Sequence, residues 1–206
     1  MTLNTKLPTG DLTDVYDARS PTKVSGSTFY GILSDASNTS YLQYTTGGSS
    51  VGILIDFADI SLAAGEFVRR VRINMRLLSS TGNPDMYAFF MDDAGRRTTV
   101  EDHYTTDTGA SWVDVVGAWH TVGPDGLPWS AASFASAKVR VVDTDLGSTK
   151  FQLAELVVQA ETNFIPTVTP QSNVVVTDTT RPVFNWAYYD ADGDPQQAFT
   201  LSVNMG

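Results

Sequence analysis

The stretch "FVRRVRINMRLL", residues 67–78, decides the fold class. Its apolar side chains at Val71, Ile73, Met75 and Leu77 alternate with an arginine or an asparagine at each position between them. A period of two is that of a β-strand with one buried face and one wet face. A helix is the rival interpretation, but it would space its apolar residues three and four apart. The stretch therefore predicts a long strand.

Similar apolar runs, separated by turn residues, fill the chain on both sides of this strand. The strand candidates are "STFYGILSD", "SYLQYTT", "VGILIDFADI", "DMYAFFMDD", "TTVEDHYTT" and "SWVDVVG". "KVRVVDTD" and "KFQLAELVVQAE" are expected to pair as a hairpin, and "SAASFASA" to make a short helical turn. We predict an all-β chain, in which residues 1–162 form an antiparallel jelly-roll-like β-sandwich.

Composition limits the function classes. The net charge is −10 and the pI is near 4.4, which argues against a nucleic-acid partner or an anionic membrane. The chain has no cysteine, so packing alone must hold it together. We expect no signal peptide, because the N-terminus has neither a basic region nor an apolar run after it. We also expect no membrane insertion, because no run approaches the length of a membrane span, about 18 apolar residues. No Walker loop or GxGxxG follows a strand, and no cofactor is expected.

Composition changes after residue 162. Residues 163–173 contain Pro166 and Pro170 without hydrophobic periodicity, and they are predicted to form a stiff linker. In residues 174–206, Phe184, Trp186 and Tyr188 fall on one face of a second β-unit. About three strands do not make a sandwich, so this unit is incomplete.

The stretch "RPVFNWAYYDADGDPQQAFTLSV" resembles the start of fibronectin type III-like modules in phage tail proteins and bacterial surface proteins. The matching pattern is Arg-Pro, an aromatic strand ending in Trp, an Asp-rich turn, then Pro-Gln and another strand. This resemblance implies a partial fibronectin type III/immunoglobulin-like module, with Trp186 as its core tryptophan.

The N-terminal region, through "LPTGDLT", "TFYGILSD", "SNTSYLQYTT" and "ILIDFADI", resembles the carbohydrate-binding-module-like sandwiches of minor tail proteins from phages of actinobacteria. Together the two resemblances imply a virion tail location after synthesis in the host cytoplasm. They also imply other tail proteins as partners, a homo-oligomer such as a trimer, and a host-surface glycan as a further ligand.

Asp190, Asp192 and Asp194 match the first, third and fifth ligand positions of a calcium-binding EF-hand loop. The sixth position should be glycine but is Pro195, and the twelfth should be a glutamate but is Leu201. Asp and Gly are also what a turn between strands prefers. We therefore predict a turn, with a calcium site as the alternative and no other metal site.

Enzyme chemistry has one candidate cluster. His103 lies beside Glu101 and Asp102, a combination suited to acid–base work or to metal binding. There is no cysteine nucleophile, no HExxH and no GxSxG elbow, so we expect no catalytic residues and no enzymatic activity.

Aromatic residues suggest sugar binding. Trp112, Trp119, Trp129 and Tyr104 lie close together in a loop-rich part of the chain, and flat rings stack on the apolar faces of sugars. Trp129 follows "GPDGLP" and is expected to be the most exposed. The alternative is that these rings fill the sandwich core.

These observations predict a structural, non-enzymatic component of a phage virion, a minor tail protein that docks on the tail and contacts the host surface. The alternative is a carbohydrate-binding module of a cell-surface or secreted protein. The arginines at positions 69, 70, 72 and 76 form a wet face for acidic neighbours or merely solubilise their strand.

Overall fold

The computed structural model describes residues 2–12, 21–35, 37–44, 51–79, 86–104, 108–109, 111–143, 151–170, 186–190 and 193. Its strands are β1 (Thr2–Lys6), β2 (Pro8–Leu12), β3 (Thr22–Val24), β4 (Tyr41–Tyr44), β5 (Val51–Phe57), β6 (Glu66–Ser79), β7 (Met86–Met91), β8 (Asp102–Tyr104), β9 (Val113–Val116), β10 (Lys138–Asp143), β11 (Phe151–Phe164), β12 (Thr167–Pro170) and β13 (Trp186–Tyr189). Its helices are α1 (Phe29–Ser34) and α2 (Ala131–Ser136). The all-β prediction is confirmed.

Two antiparallel sheets face each other. The six-stranded sheet has the order β3-β4-β11-β6-β9, with β1 also paired to β11. The five-stranded sheet has the order β2-β5-β10-β7-β8. From β4 to β11 the chain passes repeatedly from one sheet to the other, which is the connectivity expected of a jelly-roll-like sandwich.

The strand predicted from residues 67–78 is β6, which lies inside the six-stranded sheet, next to the edge strand β9. β6 pairs with β11 on one side and with β9 on the other. Val71, Ile73, Met75 and Leu77 are buried, whereas the polar residues between them point away from the core. The alternation of residues 67–78 therefore predicted both the strand and its two faces.

A single hydrophobic core lies between the sheets. Leu42, Ile73 and Leu153 of the six-stranded sheet belong to the same buried cluster as Ile55 and Phe90 of the five-stranded sheet. Burial of such side chains stabilises the fold by roughly 1.5–3 kcal/mol each. Packing therefore replaces the disulfides that the chain lacks.

The prediction of a strand over "STFYGILSD" is wrong, because Phe29–Ser34 form helix α1. The Thr28 side chain caps its N-terminus, since its hydroxyl accepts a hydrogen bond from the Gly31 N–H at 3.1 Å. Ile32 and Leu33 are buried in the core. A helix of only six residues leaves no room for the repeating pattern that distinguishes a helix from a strand.

The predicted hairpin of "KVRVVDTD" and "KFQLAELVVQAE" is also wrong. β10 pairs with β5 and β7 in one sheet, whereas β11 pairs with β1, β4 and β6 in the other. Both are central strands with partners on each side. An apolar run predicts such a strand but does not identify its partners.

The predicted helical turn is confirmed, and the chain also makes a tight turn after β7. "SAASFASA" contains helix α2, which Ser130 caps by accepting a hydrogen bond from the Ser133 N–H at 3.0 Å. "DDAGRR" is a turn, in which the Asp92 carboxylate accepts hydrogen bonds from the N–H groups of Ala94 and Arg96 at 3.0 and 2.9 Å.

Beyond the sandwich, β12 and β13 form a two-stranded antiparallel sheet. β11 runs to Phe164 and β12 begins at Thr167, within the predicted linker. Most of residues 174–206 lie outside the described residues, so the division into sandwich, linker and fibronectin-like module stays a prediction. Within the described ranges, no helix has the length and apolar character needed to cross a bilayer.

Candidate functional site

The best candidate site is the surface of the six-stranded sheet that points away from the core, which we call the outer face. Its side chains alternate along their strands with buried core residues. Its principal members are Tyr41, Arg70, Arg72, Arg76, Trp112, Asp114, Trp119, Gln159 and Glu161.

A buried carboxylate anchors one end of the outer face. Glu161 Oε2 accepts two hydrogen bonds from Arg70, at 2.7 Å from Nη2 and 3.0 Å from Nε. Glu161 Oε1 accepts a third from Arg69 Nη1 at 3.0 Å. A β-bulge between Glu161 and Thr162 breaks the pairing register of β11 with β6 at this point. Neighbouring arginines thus share a single carboxylate.

Trp119 lies over this region. The guanidinium carbons of Arg70 and Arg72 stand 4.5 and 4.4 Å from the centre of its ring, which is cation–π distance. Arg72 Nε also donates to Gln159 Oε1 at 2.9 Å. The backbone of His120 pairs with that of Val71, and this pairing places Trp119 beside the arginines of β6.

Tyr41 and Trp112 meet at the other end of the outer face, with ring centres 5.8 Å apart and planes tilted by 58°. Tyr41 begins β4, and Trp112 directly precedes β9. β11 and β6 lie between those strands, a separation of about 14 Å in a flat sheet. The two side chains therefore reach toward each other across these strands, over the outer face.

Polar groups lie between the aromatic groups. Arg76 Nη1 is 3.4 Å from Asp114 Oδ1 across the β6–β9 pair. Asn74 Oδ1 and Arg76 Nε are buried and have no hydrogen-bond partner among the described residues. Buried polar atoms are normally paired, so this strip retains hydrogen-bonding capacity.

The outer face contains two of the four residues predicted to bind sugar, because Trp112 and Trp119 are half-buried on it. Trp129 is elsewhere, and the expectation that it is exposed is wrong. It is 3% exposed, its Nε1 donates to the His120 carbonyl at 3.0 Å, and its ring packs edge-on against Phe90. The loop "GPDGLP" turns this ring into the core.

Tyr104 also lies inside, at the rim of the core cluster. Burial, with a further contribution from the Asp102 charge, raises the pKa of its phenol well above the usual value. Its hydroxyl has no hydrogen-bond partner within the described part of the chain. Trp129 and Tyr104 are therefore core residues. For these two rings the alternative prediction, that they fill the sandwich core, is the one that the structure supports.

The candidate acid–base cluster around His103 is not assembled. His103 is exposed and stacks on Tyr87, with ring centres 4.3 Å apart. Asp102 is buried and instead faces His120, with Oδ2 3.3 Å from Nε2, while its Oδ1 accepts a hydrogen bond from the Ala118 N–H at 2.8 Å. Alternation along β8 sends Asp102 and His103 to opposite faces.

The Asp-rich turn is described only in part. The Asp190 carbonyl accepts a hydrogen bond from the Gly193 N–H at 3.1 Å, as in a turn, and Gly193 has a positive φ of 75°. Asp192 and Asp194 lie outside the described residues. The described residues contain no group of three or more His, Asp or Glu that would hold a metal ion.

A concavity lies beside α2 and encloses about 250 Å³. Its buried acid is Asp92. Burial alone would raise the pKa of this carboxyl, but the hydrogen bonds and the charge of Arg96 outweigh that effect, and the pKa lies below its usual value. Its serines, Ser133 and Ser136, donate to backbone carbonyls of their own helix. These polar groups are occupied, so the outer face is the stronger candidate.

Sequence reasoning missed Tyr41, Gln159 and Glu161. Alternation in residues 67–78 placed Arg70, Arg72 and Arg76 on one wet face, but the partners of that face lie on strands far away in the sequence. The strand register that joins them has no local signal.

Glu161 provides a first prediction. Replacing it with glutamine is expected to lower the free energy of unfolding by about 1–3 kcal/mol, because Arg69 and Arg70 lose the anion between them. Chemical denaturation at neutral pH measures this. Asp114→Asn is the matched control: its carboxylate is 71% exposed, so a change of about 0–1 kcal/mol is expected. Equal losses would contradict the anchoring role of Glu161.

No protein-family model matches the chain, and no curated protein matches it. Among solved structures it is similar to chitosan-binding module 1 of a chitosanase/glucanase from Paenibacillus sp. IK-5, with 16% identity, 68% of this chain and 96% of that chain covered, and a TM-score of 0.38. It is similar to the enzymatically active domain of tailspike protein 4 of bacteriophage CBA120, with 8% identity and a TM-score of 0.42; the match covers 77% of this chain and 19% of that chain. It is also similar to the CBM22-1 xylan-binding domain from Paenibacillus barcinonensis, with 13% identity and a TM-score of 0.32; the match covers 60% of this chain and 74% of that chain. At these values the likenesses carry no argument about function, which rests on the outer face itself.

Proposed function

We propose that the protein is a non-catalytic module that binds carbohydrate on the outer face of its six-stranded sheet. The observation that carries the proposal is the pair of half-buried rings, Tyr41 and Trp112, at one end of the polar strip of the outer face. Aromatic rings pack against the C–H faces of sugars, while guanidinium and amide groups bond sugar hydroxyls. The strip supplies these groups through Arg76, Arg72 and Gln159.

The non-catalytic part of the proposal is supported by the state of the carboxylates on this face. Glycoside hydrolysis needs two carboxyl groups flanking one bond, one as an acid and the other as a nucleophile or base. Of the three carboxylates on this face, Glu161 is held by Arg69 and Arg70 and Asp114 is paired with Arg76. Glu155 is then the one carboxylate there without an ion pair within the described residues, and one carboxyl group is not enough. Release of reducing ends from a bound polysaccharide would refute this part of the proposal.

A glycan panel tests the proposed binding, and the aromatic pair provides the second prediction. Trp112→Ala and Tyr41→Ala are each expected to weaken binding by about tenfold or more, because buried aromatic anchors contribute most to such interfaces. Tyr189→Ala is the matched control, since it removes an exposed tyrosine of the two-stranded sheet. Calorimetric titration measures the affinities. Wild-type binding that survives both outer-face substitutions would contradict the site.

A second proposal concerns where the module works. We propose that it is a minor tail protein of a phage virion, a homo-oligomer such as a trimer held among other tail proteins. The fibronectin-like stretch supports this assignment, together with the pairing of β13 with β12 after the sandwich. Mass spectrometry of density-purified particles tests it: peptides at a fixed ratio to capsid protein are expected. Peptides found only in the soluble or cell-wall fraction would overturn it.

A further inference from the structure

The outer face differs in charge from the rest of the molecule. The whole chain has a net charge of −10. On the outer face the arginines at 69, 70, 72 and 76 outnumber the carboxylates of Glu155, Glu161 and Asp114 on the facing strands. An acidic protein repels anions over most of its surface, so a local excess of positive charge marks the place where an anion would be attracted.

Arg72 differs from the other arginines of the outer face in having no carboxylate partner within the described residues. Arg69, Arg70 and Arg76 each contact a carboxylate. The hydrogen-bond partner of Arg72 is instead the neutral amide oxygen of Gln159, and its guanidinium packs on Trp119. Within the described residues, therefore, no carboxylate neutralises the Arg72 charge.

The surroundings also hold this guanidinium in place. Gln159 accepts a hydrogen bond from its Nε, no hydrogen bond within the described residues occupies its Nη groups, and Trp119 packs against its plane. A planar guanidinium presents a fork of N–H donors that matches the oxygens of a carboxylate or a phosphate. Arg72 is therefore arranged to contact an oxyanion directly, on the same face as the Tyr41–Trp112 ring pair.

We propose that the saccharide bound by the outer face is anionic, with a carboxylate or phosphate group that Arg72 contacts directly. This inference rests on the proposed carbohydrate binding and adds the chemical class of the ligand. Gln159 and Trp119 act as positioning residues, because they orient Arg72. The class contains polymers of uronic acids and polymers of sugar or polyol phosphates, which share a repeated oxyanion.

Calorimetric titration against four polymers tests the inference: polygalacturonate, its fully methyl-esterified form, a poly(glycerol phosphate) and a neutral glucan. The esterified polymer has the same backbone without the charge. We expect binding to one of the two anionic polymers to exceed binding to the neutral polymers by about tenfold or more. We also expect that affinity to fall as salt rises through the range in which exposed charges are screened. The better anionic polymer identifies carboxylate or phosphate as the group.

Arg72→Gln is expected to weaken binding of the anionic polymer by about tenfold, and to weaken binding of neutral polymers by less, because only a hydroxyl contact is lost there. Arg72→Lys keeps the charge but not the fork, so an intermediate affinity is expected. Arg97→Gln is the control, because it removes one positive charge from a 63% exposed side chain away from the outer face. Thermal unfolding of each variant confirms that it remains folded.

The outcomes separate the two proposals. If neither polygalacturonate nor poly(glycerol phosphate) binds better than the two neutral polymers, the anionic class is overturned but carbohydrate binding is left intact. Binding of no polymer overturns both. An equal loss in Arg72→Gln and Arg97→Gln means that binding follows net charge alone, and the assigned contact is then wrong.

Discussion

Replacing Trp129 with alanine is expected to lower the free energy of unfolding by about 3–5 kcal/mol, a large share of the stability of an ordinary domain. The ring is 3% exposed and packs edge-on against Phe90 and Phe134, at ring-centre distances of 5.2 and 6.3 Å. Alanine would leave a cavity where three aromatic rings now meet. It would also remove the Nε1 hydrogen bond to His120, which helps to hold the chain after β9 against the core.

Two comparison variants make this test specific. Trp129→Phe keeps an aromatic ring but loses the Nε1 donor, so a loss of about 1–2 kcal/mol is expected; the His120 carbonyl still accepts a hydrogen bond from the Val71 N–H. Trp112→Ala makes the same substitution at a half-buried ring and is expected to cost less. Denaturant titration followed by circular dichroism measures all three. If Trp129→Ala were no worse than Trp112→Ala, the burial of Trp129 would be wrong.

The contrast between these tryptophans shows how far sequence reasoning reaches. Strict alternation identified β6 and its wet face, because neighbouring side chains of a strand point in opposite directions wherever the strand lies. Trp112, Trp119 and Trp129 gave no such signal. Each lies outside the strands, and the backbone path of its loop decides whether the ring turns outward or inward.

Long-range partners were also beyond prediction. β10 and β11 are consecutive and similarly apolar, yet they lie in different sheets. Asp102 meets His120, and not its sequence neighbour His103, because β8 and the segment after β9 converge at the edge of the core. The same limit on predicting distant partners applies to the outer face. Its arginines were visible in the sequence, whereas Gln159 and Glu161 join them only through the register of β11 against β6.

Gly117→Ala is expected to lower the free energy of unfolding by about 3 kcal/mol, because the added methyl group has no room. A Cβ at this position would stand 2.4 Å from the Ile73 carbonyl oxygen and 2.6 Å from Asp102 Oδ2. The N–H of Gly117 donates to that same carbonyl at 2.8 Å. Ile73 is also paired with Val158 of β11, so its backbone is not free to retreat, and the segment after β9 must move instead.

That movement links the core to the binding surface. Trp119 lies two residues beyond Gly117 and rests on Arg70 and Arg72, so Gly117→Ala is expected to weaken glycan binding as well as stability, without touching a ligand contact. Gly10→Ala is the matched control: its Cβ would meet Asp56 at an ordinary 3.8 Å, and a change within about 0.5 kcal/mol is expected. Thermal unfolding and calorimetric titration of both variants measure the two effects. Lost stability with unchanged affinity would mean that Trp119 does not position Arg72, because a displaced ring would then leave the anion contact intact.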